Sequence, residues 1–138
     1  EIRERRDGWP AMEKADGCDL KQGELLSLAG GETAVTISAA AQQTSGVNAA
    51  MAYGTDGRVA ALGLQTLSDP KGVQPIYAPT PVIRESVLKA YPQIADWLKP
   101  VFSALDEKTL QQLNAKIAVD GQDASSVATE WLQQKKLL

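Results

Sequence analysis

Two short segments place a tyrosine beside turn-forming residues in a chain that is poor in aromatic side chains. They are Tyr53-Gly-Thr-Asp-Gly57 and Tyr77-Ala-Pro-Thr-Pro81. The 138 residues include only three tyrosines, three tryptophans and one phenylalanine. The face of a tyrosine ring attracts cations, and quaternary ammonium groups are the usual ligands that exploit this attraction. Either tyrosine could therefore face a small cationic group, and the alternative is a tyrosine that packs against the protein itself.

The composition argues against enzymatic chemistry and against nucleic acid as a partner. Histidine, the commonest general base and zinc ligand, is absent, and Cys18 is the single cysteine. The net charge of −3 leaves no basic excess to neutralise phosphates. We therefore predict no catalytic residue, no metal ligand and no cofactor. We expect Cys18 to be a small buried side chain.

The first half of the chain predicts mixed α and β structure. A helix is expected to begin at Trp9, with Asp7 as its cap, and to end at Gly17. An alanine-rich stretch predicts a second helix over 33–44. Thr55 or Asp56 can cap a further element after the tyrosine-containing turn. Short apolar runs between these elements predict strands at 24–29, 48–53 and 62–67.

Helices dominate the predicted second half. Apolar side chains from Ile94 to Leu105 recur on one helical face, and Pro100 within this stripe predicts a kink or an early stop. Asp106 and Asp123 are predicted to cap two more helices. The resulting fold class is α/β with a helical C-terminal part.

These motifs, in this order, resemble the substrate-binding components of ABC importers for glycine betaine, choline and related osmoprotectants. In that family a Tyr-small-Thr-Asp-Gly segment precedes a Tyr-x-x-x-Pro-Val segment at a similar distance. The run Arg5-Arg6-Asp7-Gly8 resembles the family's Arg-Pro-Asp-Gly segment, although Arg6 replaces the proline. The run from Val119 to Leu138 resembles the family's closing helix, so the resemblance covers nearly the whole chain.

The resemblance implies a ligand-binding set. Tyr53 and Tyr77 correspond to walls of an aromatic cage around a trimethylammonium head, and Arg5 corresponds to the arginine that binds the ligand's carboxylate. Thr55 and Asp56 complete the set, with ordering of the turn as their alternative role. Each of the other three has an alternative role. Tyr53 could be a half-buried core tyrosine, and Tyr77 could pack on its proline-rich segment. Arg5 could belong to a charged surface helix at the N-terminus.

The family fold is two-lobed and of the periplasmic binding protein type II. The resemblance assigns residues 1–67 to part of the inserted second lobe, 68–74 to a linker and 75–138 to the return into the first lobe. The family's N-terminal half has no counterpart, and the chain begins at Glu1, so we expect a piece of a longer protein. Uncovered sheet edges would favour a homodimer or domain swapping.

The predicted function is that of a periplasmic solute-binding component, or a fragment of one. It would capture a small zwitterionic or quaternary-ammonium ligand such as glycine betaine and present it to an ABC permease. The alternative is a non-binding scaffold fragment, engineered or truncated, that retains part of the fold and has lost the site.

Overall fold

The regular structure of the described chain is helical. A computed structural model describes residues 5–19, 21, 23–28 and 32–138. No helix in these ranges is long and apolar enough to span a membrane. The helices found there, besides one 3-10 turn at Thr44–Gly46, are α1 (Trp9–Asp16), α2 (Thr33–Ala41), α3 (Gly57–Ala61), α4 (Glu85–Ala90), α5 (Gln93–Ser103), α6 (Glu107–Ala118) and α7 (Ala124–Gln134).

The chain divides into two units, each with its own internal contacts. The first unit comprises the chain up to Ala52 together with Gln65–Tyr77, and the second comprises Tyr53–Leu64 and Ala78–Leu138. The first unit therefore contains α1 and α2, and the second contains α3 to α7. The expected lobe segments, 1–67 and 75–138 with a linker at 68–74, refer to a complete two-lobed protein and stay a prediction.

The expected strands are not formed in the described residues. The stretches 24–28, 48–53 and 62–67 contain turns, bends or irregular backbone, and Ala29 lies outside the described residues. A strand needs a ladder of hydrogen bonds to a neighbouring strand, and short apolar runs do not reveal whether that neighbour is present. The α/β class predicted from the sequence is therefore not reproduced in the described residues.

In the first unit, α1 ends where the sequence predicts, but it does not begin with the predicted cap. Its C-terminus is Gly17, whose φ of 70° is the left-handed conformation expected after a helix. The N-terminus has Pro10 in its first turn but no side-chain cap, so the expected capping by Asp7 is wrong. The Asp7 carboxylate instead accepts two hydrogen bonds from Arg5. The second helix, α2, buries Ile37 almost completely.

In the second unit, the capping predictions are confirmed. The Asp106 carboxylate accepts a hydrogen bond from the Thr109 amide at 2.7 Å, and the Asp123 carboxylate accepts one from the Ser126 amide at 2.8 Å. The helix predicted from the apolar stripe is α5, and it continues through Pro100 to Ser103. In this unit α3 packs on α6, and α6 packs on α7.

Few apolar side chains are buried for a chain of this length. Those in the described ranges are Ile37 and Ala39 in the first unit and Val59, Val127 and Trp131 in the second. Large apolar side chains are meanwhile exposed, including Leu67 (86%), Ile76 (94%) and Val82 (96%). Cys18 is also exposed, so its expected burial is wrong; a short apolar side chain carries no signal of what covers it.

At Gly57 the backbone of α3 lies very close to the backbone of α6. A Cβ atom added at Gly57 would overlap the backbone nitrogen of Ala115 and lie 2.5 Å from the Ala115 Cα. These are backbone atoms of a helix, so they cannot move aside as a flexible side chain could. The packing of α3 on α6 therefore requires glycine at this position.

We predict that Gly57→Ala lowers the free energy of unfolding by about 2–3 kcal/mol, because the methyl group must push α3 away from α6. Urea unfolding followed by circular dichroism measures the change. The matched control is Gly23→Ala, where an added Cβ meets no atom within 4 Å. Equal stability of the two variants would show that α3 does not depend on this close approach.

The two capping aspartates predict a loss of stability in acid. The amides of Thr109 and Ser126 hold the pKa of Asp106 and Asp123 below the ordinary value. Because both pKa values are lowered on folding, the caps stabilise the folded chain above the unfolded pKa of about 3.9 and lose this effect as the pH falls through the folded values. We expect the thermal unfolding temperature to fall below about pH 4.

Replacing both capping aspartates by asparagine tests whether they cause the loss of stability in acid. The amide oxygen of asparagine still accepts the hydrogen bond but does not titrate. The double variant should lose less unfolding temperature between pH 6 and pH 2 than the unmodified chain. If the double variant and the unmodified chain lose the same unfolding temperature in acid, other carboxylates cause the loss.

Candidate functional site

The tyrosine-containing turn of the second unit leads directly into α3. The Asp56 amide donates to the Tyr53 carbonyl at 2.9 Å, which closes the turn. The Asp56 carboxylate accepts a hydrogen bond from the Arg58 amide at 3.0 Å and forms an ion pair with the Arg58 guanidinium, also at 3.0 Å. The sequence-based expectation that Asp56 caps the next element is confirmed. Asp56 therefore has a structural task in this turn.

Two amide side chains from α6 hold the backbone of this turn. The Gln111 Nε2 atom donates to the Gly54 carbonyl at 2.5 Å, and the Asn114 Nδ2 atom donates to the Thr55 carbonyl at 2.7 Å. Both bonds are partly buried. Together with the contact at Gly57, they fix the main chain on both sides of Asp56.

Sequence reasoning missed Gln111 and Asn114. They lie 57 and 59 residues beyond the carbonyls they bind, in a helix that carries no recognisable motif. A usable signal was present, because the two amides are three residues apart and so lie on one face of α6.

The turn borders a shallow depression of about 310 Å³ in the second unit. Tyr53 lines this depression, and 55% of its surface is exposed. Thr55 and Asp56 also line the depression and are less exposed than Tyr53. The depression therefore joins an accessible aromatic ring to the capped end of α3.

The first unit brings Arg5 and Tyr77 together. The Arg5 Nε atom donates to Asp7 Oδ1 at 3.0 Å, and its Nη2 atom donates to Asp7 Oδ2 at 2.5 Å. The pKa of the guanidinium is raised above its ordinary value, mainly by hydrogen bonding to Asp7 and to a smaller extent by hydrogen bonding to Tyr77. In return, Arg5 lowers the pKa of the Asp7 carboxyl. The guanidinium thus lies between a carboxylate and a tyrosine that is 65% exposed.

Residues 5–8 form a turn, closed by a hydrogen bond of 3.0 Å from the Gly8 amide to the Arg5 carbonyl. The described part of the N-terminus therefore does not form the charged surface helix considered as an alternative for Arg5. The rest of that expected helix, residues 1–4, lies outside the described residues.

The segment leading to Tyr77 is tied to this same turn. The Asp69 carboxylate accepts a hydrogen bond from the Gln74 amide at 2.7 Å, and this bond is the main cause that lowers the Asp69 pKa. The Gln74 side chain donates to the Asp7 carbonyl at 3.0 Å. A loop fixed by its own aspartate is thereby attached to the backbone beside Arg5.

The five predicted ligand-binding residues therefore form two groups. Arg5 and Tyr77 lie together in the first unit, and Tyr53, Thr55 and Asp56 lie together in the second. Each group combines an exposed tyrosine with a guanidinium and a carboxylate. In the described ranges no three potential metal-ligating side chains are grouped to hold an ion.

Exposed tyrosines beside paired charges do not by themselves define a class of protein, and sequence comparison supplies the family. A family model described as the substrate-binding domain of the ABC-type glycine betaine transport system matches residues 1–134. The chain therefore belongs to this family.

Individual relatives agree with this assignment. The chain is 74% identical over 135 residues to the glycine betaine-binding protein YehZ of Escherichia coli K12, covering 98% of this chain and 44% of that protein. It is 36% identical over 84 residues to a glycine-betaine-binding protein of Pseudomonas aeruginosa, covering 61% of this chain and 27% of that protein. The chain thus spans less than half the length of these relatives.

Solved structures show the same correspondence. The apo form of E. coli YehZ matches all of this chain and 49% of its own, with 72% identity and a TM-score of 0.88. A glycine betaine/carnitine/choline ABC transporter structure matches 99% of this chain and 47% of its own, with a TM-score of 0.78. At 24% identity, the second likeness concerns the fold alone.

We predict that Asn114→Ala loosens the Tyr53 turn, because the Thr55 carbonyl loses a partly buried partner. The loss should lower the free energy of unfolding by about 1 kcal/mol. Hydrogen exchange of the Asp56 amide, which closes the turn, should become faster. The control is Gln112→Ala, an exposed position on the same helix. Unchanged exchange in Asn114→Ala would mean that α6 does not hold the turn.

Proposed function

We propose that this chain is about half of a periplasmic solute-binding protein that delivers quaternary-ammonium osmoprotectants such as glycine betaine to an ABC permease. The observation that carries the proposal is the placement of Arg5 beside Tyr77 in a member of this family. Glycine betaine has a cationic head and a carboxylate a few bonds apart. An aromatic face next to a guanidinium suits both ends of such a zwitterion.

The proposed mechanism is capture without covalent chemistry. The faces of Tyr53 and Tyr77 attract the ammonium head, each contributing roughly 0.5–2 kcal/mol when water is excluded. Arg5 binds the carboxylate, and Thr55 and Asp56 contribute from the turn before α3. The identity of E. coli YehZ as a glycine betaine-binding protein supports this ligand class.

The proposal includes the architecture of the complete protein. Its fold would be α/β, of the periplasmic binding protein type II, with residues 1–67 in the second lobe and 75–138 in the first. Closure of the lobes would enclose the ligand. The strands expected in this chain would then form ladders with strands from the remainder of the protein, and a homodimer or domain-swapped pair would be the alternative way to supply them.

One observation favours a second candidate, a fragment that does not bind ligand by itself. Tyr53 and Tyr77 are more than half exposed, so a cation at either ring stays partly hydrated and each contact falls to the low end of its range. On this view the chain retains its helices and its paired charges but needs the remainder of the protein for binding.

We predict that the isolated chain binds glycine betaine no more tightly than about 1 mM, which is about −4 kcal/mol. A chimera in which it replaces the matching part of the E. coli relative should bind more tightly, because more ring surface is then desolvated. Titration calorimetry measures the chimera, and NMR titration measures the isolated chain.

Tyr53→Ala and Tyr77→Ala should each weaken binding by the chimera. The matched control is Tyr91→Ala, since Tyr91 is 56% exposed, like Tyr53 at 55%, but lies outside both groups. Tight binding that neither substitution affects would place the ligand elsewhere on the protein. A chimera that binds no quaternary-ammonium ligand would contradict the proposed function itself.

A further inference from the structure

We propose that Asp7 determines the ligand selectivity of Arg5 by competing with the ligand's carboxylate for the guanidinium. This inference rests on the proposed function, in which Arg5 binds that carboxylate. The structure contributes the contact itself, because Asp7 already occupies Arg5 through two parallel hydrogen bonds of 3.0 and 2.5 Å.

The geometry of the pair makes it a direct competitor. Asp7 binds the edge formed by Nε and Nη2, which is one of the edges at which a guanidinium grips a carboxylate with two bonds. The Tyr77 side chain makes a further hydrogen bond with the same group. A ligand carboxylate therefore meets a guanidinium whose charge is balanced and whose side edge is filled.

The pair can open at low cost. The side chains of Arg5 and Asp7 are 40% and 49% exposed, so water can solvate both groups when they separate. The Asp7 main chain stays in place, because its carbonyl accepts a hydrogen bond of 3.0 Å from the Gln74 side chain. Only the Asp7 side chain has to rotate.

The displaced carboxylate would also remain in a favourable position. Asp7 lies just before α1, whose N-terminus has no side-chain cap. The partial positive charge of a helix N-terminus stabilises a nearby carboxylate. Asp7 thus has two alternative partners, the guanidinium and the start of α1, and a ligand carboxylate would shift the balance between them.

Competition by Asp7 weakens the binding of ligands that carry a carboxylate. It does not weaken the binding of choline. Choline shares the trimethylammonium head of glycine betaine but carries a hydroxyl group in place of the carboxylate. Asp7→Asn removes the competing charge, and the Arg5 guanidinium then attracts a carboxylate more strongly. We expect the ratio of glycine betaine affinity to choline affinity to rise about two- to fivefold, the range that corresponds to one exposed ion pair.

The test measures both ligands on two proteins, the isolated chain by NMR titration and the chimera with the E. coli relative by calorimetry. The matched control is Asp16→Asn, which removes the same charge from the same unit. Asp16 pairs with Lys71 at 3.1 Å, and its exposure of 44% is close to that of Asp7. Asp16→Asn should leave the affinity ratio unchanged.

A second variant separates competition from a general effect of the substitution. In an Arg5→Gln background, Asp7→Asn should no longer change the ratio, because the contested group is gone. Thermal unfolding checks that every variant is folded, and the Nε–H resonance of Arg5 should shift in Asp7→Asn even without ligand.

The outcomes distinguish the two proposals. If glycine betaine binds but Asp7→Asn leaves the ratio unchanged or lowers it, the role of Asp7 is overturned and the proposed function stands. If the effect persists in the Arg5→Gln background, competition for Arg5 is likewise overturned. If neither protein binds either ligand, the proposed function fails, and the selectivity role of Asp7 fails with it.

Discussion

The second unit depends on one close approach, that of Gly57 to the backbone of α6. Because glycine has no side chain there, the start of α3 can lie against Ala115. That proximity brings Gln111 and Asn114 within hydrogen-bonding distance of the two carbonyls that follow Tyr53. The backbone of the turn that follows Tyr53 is therefore held by a helix far away in sequence, and α6 in turn packs on α7.

The first unit uses the same device at its own tyrosine. A side-chain amide, that of Gln74, donates to the main-chain carbonyl of Asp7 and so attaches the loop before Tyr77 to the turn that carries Arg5. In both units a side-chain amide fixes the backbone, but only in the first unit are the charged side chains well exposed, since the Asp56 side chain is 12% exposed and that of Asp7 49%.

The success of sequence reasoning followed the range of the interactions involved. Caps at Asp56, Asp106 and Asp123 were predictable because each carboxylate binds an amide two or three residues away. The strands were not predictable, since a strand exists only with a neighbour that a local pattern does not show. Asp7 was assigned to the wrong partner because a carboxylate before a helix can bind either the helix or a nearby arginine. Arg5 was assigned to the ligand only through the family resemblance, and its adjacency to Tyr77 appears only in the fold.

The exposed apolar side chains around Tyr77 bear on how long such a chain would persist in a cell. Ile76 and Val82 present almost their whole surface to solvent on a segment with no regular structure. Extended apolar segments of this kind are what chaperones and proteases engage when they select unfinished chains. The lifetime of this chain on its own would then be governed by quality control, and covering these two side chains would lengthen it.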